Sequence, residues 1–186
     1  MEIFRADHDM RFNAVIDYCT SVGDFHAEGF KRAVERLLRY TLDDIDHVLF
    51  DRDTLILPIL TLFRHYLELR FKEIIVSGDR LVGAPACWPW GHDLGQLWDR
   101  CRRICEAVLS SDLADALDLV GRCVDEFVTL DPKCENFRYP LDSKGQRPTQ
   151  HLVIGLNNLA DVVEKVSTLL DGVSMDISVR LQNSRQ

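Results

Sequence analysis

Long apolar runs are absent from this sequence of 186 residues. A membrane-spanning helix needs about 20 consecutive apolar residues, and no uninterrupted run approaches that length. The first residues, MEIFRADHDMRFNAV, also lack the basic segment and apolar core of a signal peptide. We therefore expect a cytoplasmic protein with no membrane association.

Positive charge is scarce as well. The chain has 22 Lys and Arg residues against 30 Asp and Glu residues, for a formal net charge of −8. A general electrostatic attraction to nucleic acid needs Lys and Arg side chains that displace the counterions of the phosphates. We therefore expect no DNA binding, and any contact with RNA has to come from a local basic patch.

The six cysteines form neither a secreted disulfide framework nor a zinc-finger pattern. Without an export signal they are expected to be reduced. Cys101 and Cys105 are four residues apart on a predicted helix, so a shared metal is one interpretation, but no second pair or neighbouring His completes a ligand set. We favour structural thiols, because free Cys is often buried, and we expect no metal and no cofactor.

Strand patterns, repeats and low-complexity segments are missing, and apolar residues recur at helical spacing almost throughout. The predicted fold is an all-α bundle of four to five helices with short helices at the N-terminus. We divide the chain into an N-terminal helical extension (1–52), the bundle (53–172) and a C-terminal tail (173–186). The predicted helices cover residues 11–19, 26–40, 41–50, 53–77, 92–109, 112–130 and 149–173, with Thr41 as the N-cap of the third.

The helix at 53–77 is the most apolar of these and carries a column of charges. Arg64, Glu68 and Lys72 follow one another at four-residue intervals, with His65 beside them. Such charges must reach solvent or be paired, because an unpaired buried charge is unfavourable. His92 opens the helix that returns antiparallel, so we expect Glu68, Lys72 and His92 to form one polar cluster. The pair of Glu68 and Lys72 also fits a purely structural role.

Two predicted loops contain residues that indicate a role in packing or in function. The segment DRLVGAPACWPWG (79–91) contains Trp88 and Trp90, and aromatic residues in such a loop usually pack onto the core. The polar loop at 131–148 is long enough to be functional and precedes a helix N-terminus, which favours anions. It contains the basic residues Lys133, Arg138, Lys144 and Arg147. These either solvate the loop or bind phosphate.

Three motifs occur in order along residues 53–172. They are Glu68-Leu69-Arg70-Phe71-Lys72 on an apolar helix, His92-Asp93-Leu94 at a helix start, and Arg138-Tyr139-Pro140 before the last long helix. Together they resemble the HEPN (higher eukaryote and prokaryote nucleotide-binding) helical domains. The resemblance is closest to the branch of the sacsin C-terminal domain and of the HEPN partners of nucleotidyltransferases.

The resemblance implies a homodimeric helical bundle with a polar groove at the interface. HEPN proteins are either metal-independent ribonucleases, often bacterial toxins or antiphage effectors, or modules that bind nucleotides and RNA. The ribonucleases use an Arg followed by His after four to six residues. Here the nearest approach is Arg147 and His151, which have three residues between them.

Metal-independent cleavage of RNA needs a base with a pKa near neutrality and a guanidinium that meets the phosphate. The candidate bases are His151, His92 and His65, and the candidate guanidinium groups belong to Arg138, Arg147 and Arg64. The residues predicted to be catalytic are Arg138, Arg147 and His151. Those predicted to bind ligand are Arg64, His65, Glu68, Lys72, His92, Asp93 and Tyr139.

We expect Arg138, Tyr139, Arg147 and His151 to converge on one groove, with Tyr139 stacking on a base. Three functions stay open. The favoured one is an RNA- or nucleotide-binding module without nuclease activity, or a partner of another protein such as a nucleotidyltransferase or a defence component. The second is a divergent ribonuclease, and the third is an interaction bundle.

Overall fold

The described part of the chain is built from five α-helices and contains no strand. The structure is a computed structural model that describes residues 8–9, 11, 14, 24–43, 49–108, 113–141, 144–146 and 152–184. The helices are α1 (Asp24–Asp43), α2 (Leu49–Leu81), α3 (Leu94–Val108), α4 (Ala114–Leu130) and α5 (Leu156–Asn183). The predicted all-α class is therefore confirmed.

Helix α2 is the centre of the bundle, because α1, α3 and α5 all pack against it. Its 33 residues include Phe63, Leu67, Phe71 and Ile74, which are buried at helical spacing. The neighbours surround its middle so completely that most residues from 63 to 75 are buried, whether apolar or charged. Every charge on that segment therefore needs a partner within the protein.

Two predicted helix starts are wrong. Thr41 is not an N-cap, because α1 continues through it to Asp43, and its buried hydroxyl donates a hydrogen bond to the carbonyl oxygen of Leu38 at 2.9 Å. The last helix begins at Leu156 and not at residue 149, because residues 152–155 are not helical and Gly155 has an extended backbone as the N-cap.

Both long helices cross the boundaries that we drew from the sequence. Helix α2 begins at Leu49, before the boundary at residue 53, and α5 passes the boundary at residue 173 and ends at Asn183. The continuation of α5 has a packing reason, since Val173 and Ile177 extend its buried stripe beyond Leu170. The helix predicted at 11–19 lies almost entirely outside the described residues.

The connection between α2 and α3 positions the start of α3. Helix α3 returns along α2, with the rings of Phe71 and Trp98 at a centroid distance of 5.3 Å. Asp93 precedes the first helical residue, and its Oδ1 accepts a hydrogen bond from the backbone N–H of Gln96 at 3.0 Å. Asp93, which we predicted to bind ligand, thus caps the N-terminus of α3. No described helix combines the length and the apolar character that crossing a membrane requires.

Candidate functional site

The predicted cluster of Glu68, Lys72 and His92 is present. Lys72 Nζ donates a hydrogen bond to Glu68 Oε1 at 2.8 Å, and His92 Nδ1 lies 2.8 Å from the same oxygen. Glu68 and Lys72 are buried, with 2% and 5% of their surface exposed. The four-residue spacing on α2 places both on the face towards the start of α3. The expectation of one polar cluster is therefore confirmed as geometry.

His92 is the one member of this cluster that solvent reaches, since 74% of its side chain is exposed. Burial opposes ionisation of Glu68, but the hydrogen bonds from Lys72 and His92 outweigh it and lower the pKa of Glu68. Because an ionised carboxylate only accepts hydrogen bonds, we assign the proton to His92 Nδ1. In the neutral ring Nε2 is then the acceptor, and it is the nitrogen left for an outside partner.

Arg64 connects three parts of the fold and is 1% exposed. Its Nη2 donates a hydrogen bond to the backbone carbonyl of His92 at 3.1 Å, while Nη1 lies 3.6 Å from Glu68 Oε2 and Nε lies 3.8 Å from Asp131 Oδ2. The last two distances exceed those of hydrogen bonds. Within the described residues, Arg64 Nε and Nη1 have no hydrogen-bond partner.

Asp131 anchors the loop that follows α4. It is 1% exposed, and its Oδ1 accepts hydrogen bonds from the backbone N–H groups of Glu135 and Asn136 at 2.7 and 2.8 Å. Its other oxygen faces Arg64 across the 3.8 Å gap. The loop therefore meets α2 at the same point as the start of α3. Sequence analysis missed Asp131, although its position directly after a helix and before Pro132 was a usable signal. We refer to Arg64, Glu68, Lys72, His92 and Asp131 as the His92 cluster.

Arg138 and Tyr139 lie on this anchored loop. Arg138 Nε donates a hydrogen bond to the carbonyl oxygen of Cys134, whose φ is 58°, and its guanidinium lies 5.5 Å from the centre of the Tyr139 ring. Tyr139 is 55% exposed. Burial raises the pKa of the Cys134 thiol, although the positive charges of Arg64 and Arg138 act in the opposite direction. The loop thus presents an exposed aromatic ring and a cation together.

The predicted groove is only partly described. Arg147 and His151 lie outside the described residues, so their convergence with Arg138 and Tyr139 remains a prediction. His65 is half-buried, and its ring lies 4.5 Å from that of Phe30 on α1. Burial lowers the pKa of His65, so the ring packs against α1 in its neutral form. His65, which we predicted to bind ligand, thus has a packing contact with α1.

A second charge cluster lies on the opposite face of α2, and sequence analysis missed it. Asp171 of α5 accepts hydrogen bonds from Tyr66 Oη at 2.9 Å and Lys31 Nζ at 2.6 Å. Arg70 Nη2 lies 2.9 Å from Asp171 Oδ1, and its Nη1 lies 2.8 Å from Glu73 Oε2. We call these five residues the Asp171 cluster. The spacing of Tyr66, Arg70 and Glu73, four and three residues apart, was a usable signal for it.

A cleft of about 480 Å³ at the Asp171 cluster is lined mostly by polar residues, Arg70 and Asp171 among them, whereas the described residues arrange no metal site. No group of three or more His, Cys, Asp or Glu side chains in the described residues is arranged to hold a metal. Cys101 Sγ and Cys105 Sγ are 4.0 Å apart and buried, and burial raises the pKa of Cys101. A cleft of about 420 Å³ between α2, α4 and α5 is lined mostly by apolar side chains.

No protein-family model, curated protein or solved structure matches the chain.

Proposed function

We propose that the chain is a HEPN-like helical protein that binds RNA or a nucleotide and holds its phosphate at His92. One observation carries the proposal: an imidazole that is 74% exposed is bound through Nδ1 to a carboxylate that is almost fully buried. Surface histidines are usually mobile, whereas here Glu68 fixes the ring and Arg64 fixes the backbone of the same residue. Such an arrangement is typical of a group that must meet a ligand in one orientation.

The charges of the His92 cluster suit an anion. Arg64 and Lys72 balance Glu68 and Asp131, so protonation of His92 leaves the five residues with one net positive charge. A phosphate that approaches Nε2 favours this protonation, and the imidazolium then donates a hydrogen bond to a phosphate oxygen. Because the whole chain carries a net charge of −8, attraction to phosphate has to be local, as it is at this site.

Metal-independent RNA cleavage is the second candidate function. A general base must present an unprotonated nitrogen, and the bond from Nδ1 to Glu68 leaves Nε2 of His92 in that state. In the expected reaction Nε2 takes the proton of the 2′-hydroxyl, the 2′-oxygen attacks phosphorus and the 5′-oxygen leaves, which forms a cyclic phosphate. Arg138, beside Tyr139, is the described guanidinium proposed to meet charge on the phosphate.

The test is binding of a labelled single-stranded RNA across a salt series, in EDTA, by the wild type and by His92→Ala. We expect at least a tenfold loss of affinity in the variant, because it loses a charge-assisted hydrogen bond of roughly 1.5–3 kcal/mol. His26→Ala is the matched control, since His26 is an exposed histidine on α1. Equal affinity in wild type and His92→Ala would contradict the proposed phosphate site.

Cleavage is read from the same incubations. If RNA is cut in EDTA, His92→Ala removes cleavage when His92 is the base, whereas His151→Ala removes it when the predicted pair of Arg147 and His151 is responsible. Cleavage is compared at RNA concentrations that saturate each variant, so that loss of cleavage in the bound complex identifies the base apart from any loss of affinity. If the wild type neither binds nor cuts RNA, the interaction bundle becomes the better description.

We also propose a cytoplasmic homodimer that works with a protein partner, such as a nucleotidyltransferase, in a toxin or antiphage system. This rests on the HEPN resemblance, and exposed apolar side chains beside the 420 Å³ cleft support it: Leu152 is 45% and Val153 is 94% exposed. A standard interface takes about 800 Å² from each copy. Light scattering at micromolar concentration should report a dimer that Val153→Asp weakens, and a wild-type monomer would contradict the proposal.

A further inference from the structure

Trp90 is the most exposed aromatic side chain in the described structure, at 92%. This contradicts the expectation that both tryptophans of the loop pack onto the core, which only the partly buried Trp88 meets. Single exposed apolar side chains are normal at protein surfaces, so the significance of Trp90 depends on its neighbours along the chain.

The backbone that presents Trp90 is held from both sides. Pro89 restricts the preceding dihedral angles, and Gly91 has a φ of 97°, which favours glycine. His92 is then bound through its side chain to Glu68 and through its carbonyl oxygen to Arg64. Two residues of chain span at most about 7 Å, so Trp90 and His92 leave the backbone close together.

We infer that Trp90 is the stacking surface for the base of the nucleotide whose phosphate binds His92. The inference rests on the proposed function. It adds a contact to the base of the ligand, which phosphate binding alone does not specify. An aromatic face and an imidazole separated by one residue match a ligand that has a base and a phosphate on either side of a sugar. Stacking on an aromatic side chain accepts any base, because every base has a π-face.

Other partners of an exposed tryptophan fit less well. A neutral sugar stacks on Trp but carries no charge that the neighbouring His92, Arg64 and Lys72 could bind. A quaternary ammonium prefers aromatic faces, but it cannot accept a hydrogen bond from His92. The ligand class is therefore a nucleoside monophosphate or a single-stranded RNA, with affinity for the phosphorylated form above that for the nucleoside.

The first experiment measures binding of a short single-stranded RNA and of AMP by the wild type, Trp90→Ala and Trp90→Phe. We expect Trp90→Ala to lose roughly 5- to 150-fold in affinity, the range that corresponds to a stacking contact of about 1–3 kcal/mol. Trp90→Phe keeps a ring and should lose less. Val82→Ala is the control, since Val82 is 69% exposed in the same connection and should have wild-type affinity.

Fluorescence gives an independent readout. The chain has three tryptophans, of which Trp98 is buried. AMP should quench part of the wild-type emission and much less of the Trp90→Phe emission. Inorganic phosphate, which cannot stack, should bind the wild type and Trp90→Phe with the same dissociation constant.

The outcomes separate the inference from the proposed function. If Trp90→Ala binds RNA as tightly as the wild type while His92→Ala does not, the stacking role is wrong and the phosphate site stands. If the wild type binds neither RNA nor AMP, both are overturned. If Trp90→Ala instead converts a dimer to a monomer in light scattering with RNA affinity unchanged, Trp90 is a contact between copies and the inference is wrong.

Discussion

Two charge clusters occupy opposite faces of α2, and they differ in the distance between the arginine and its carboxylates. In the Asp171 cluster the ion pairs measure 2.6 to 2.9 Å and connect α1, α2 and α5. In the His92 cluster Arg64 stands 3.6 and 3.8 Å from its two carboxylates, and two of its nitrogens have no hydrogen-bond partner among the described residues.

Arg70 is therefore closely paired with its carboxylates, whereas Arg64 stands farther from both of its own. A buried ion pair offsets the loss of hydration only when its geometry is good, so the short contacts around Asp171 are what a structural role requires. The longer contacts of Arg64 contribute less to stability and occur where α2, the start of α3 and the loop after α4 meet. The exposed His92 belongs only to this second cluster.

The largest effect on stability is expected for Arg70→Met. The change leaves the buried Glu73 without its guanidinium partner and removes one partner of Asp171, which keeps Lys31 and Tyr66, so the free energy of unfolding should fall by about 3 kcal/mol in urea titration. Asp176→Ala is the control, because it breaks the exposed pair of Asp176 and Arg180 and should cost at most about 1 kcal/mol. Similar losses in both variants would contradict a structural role for the Asp171 cluster.

A smaller loss is expected for Lys72→Met. Glu68 loses its 2.8 Å partner but keeps His92, so we expect the free energy of unfolding to fall by about 2 kcal/mol, nearer the value of one charged hydrogen bond. Chemical denaturation measures it. A loss larger than that of Arg70→Met would remove the proposed contrast between the clusters.

The third prediction concerns acid. The pKa of Glu68 is lower in the folded protein than its ordinary value of 4.5, so the unfolded chain binds this proton more readily. The stability that Glu68 contributes is therefore present above pH 4.5 and is lost as the pH falls through the folded pKa. Glu68→Gln should show a flatter decline of unfolding free energy below that pH than the wild type. Parallel declines would mean that other carboxylates cause the acid sensitivity.

The smallest effect on stability is expected for His92→Ala. The side chain is largely exposed and Glu68 keeps Lys72, so the change should cost at most about 1 kcal/mol. Thermal unfolding should place its midpoint within a few degrees of the wild type. A small change in stability combined with a large loss of RNA affinity would mark His92 as a ligand contact, whereas a large loss of stability would place it among the structural residues.

The sequence by itself determined what lies on each face of a helix. Apolar spacing predicted the all-α class and most of the helices, and the intervals between Arg64, Glu68 and Lys72 predicted a shared face. Helix α3 follows α2 directly in the chain, so the approach of His92 to Glu68 also followed from the order of elements. Helical periodicity depends only on residues that are close in the chain, so it can be read from the sequence without the fold.

Only the tertiary structure decided which faces meet. Asp131 lies 67 positions after Arg64, and Asp171 lies 101 positions after Arg70. A local sequence pattern does not predict how two helices so far apart in the chain are rotated relative to each other. The exposure of Trp90 has the same origin, because an aromatic residue packs only where a neighbouring element offers a surface. The packing of the helices decides which side chains are buried and which charged groups pair. The hydrophobic effect is non-directional, so it does not select these contacts before the helices are in place.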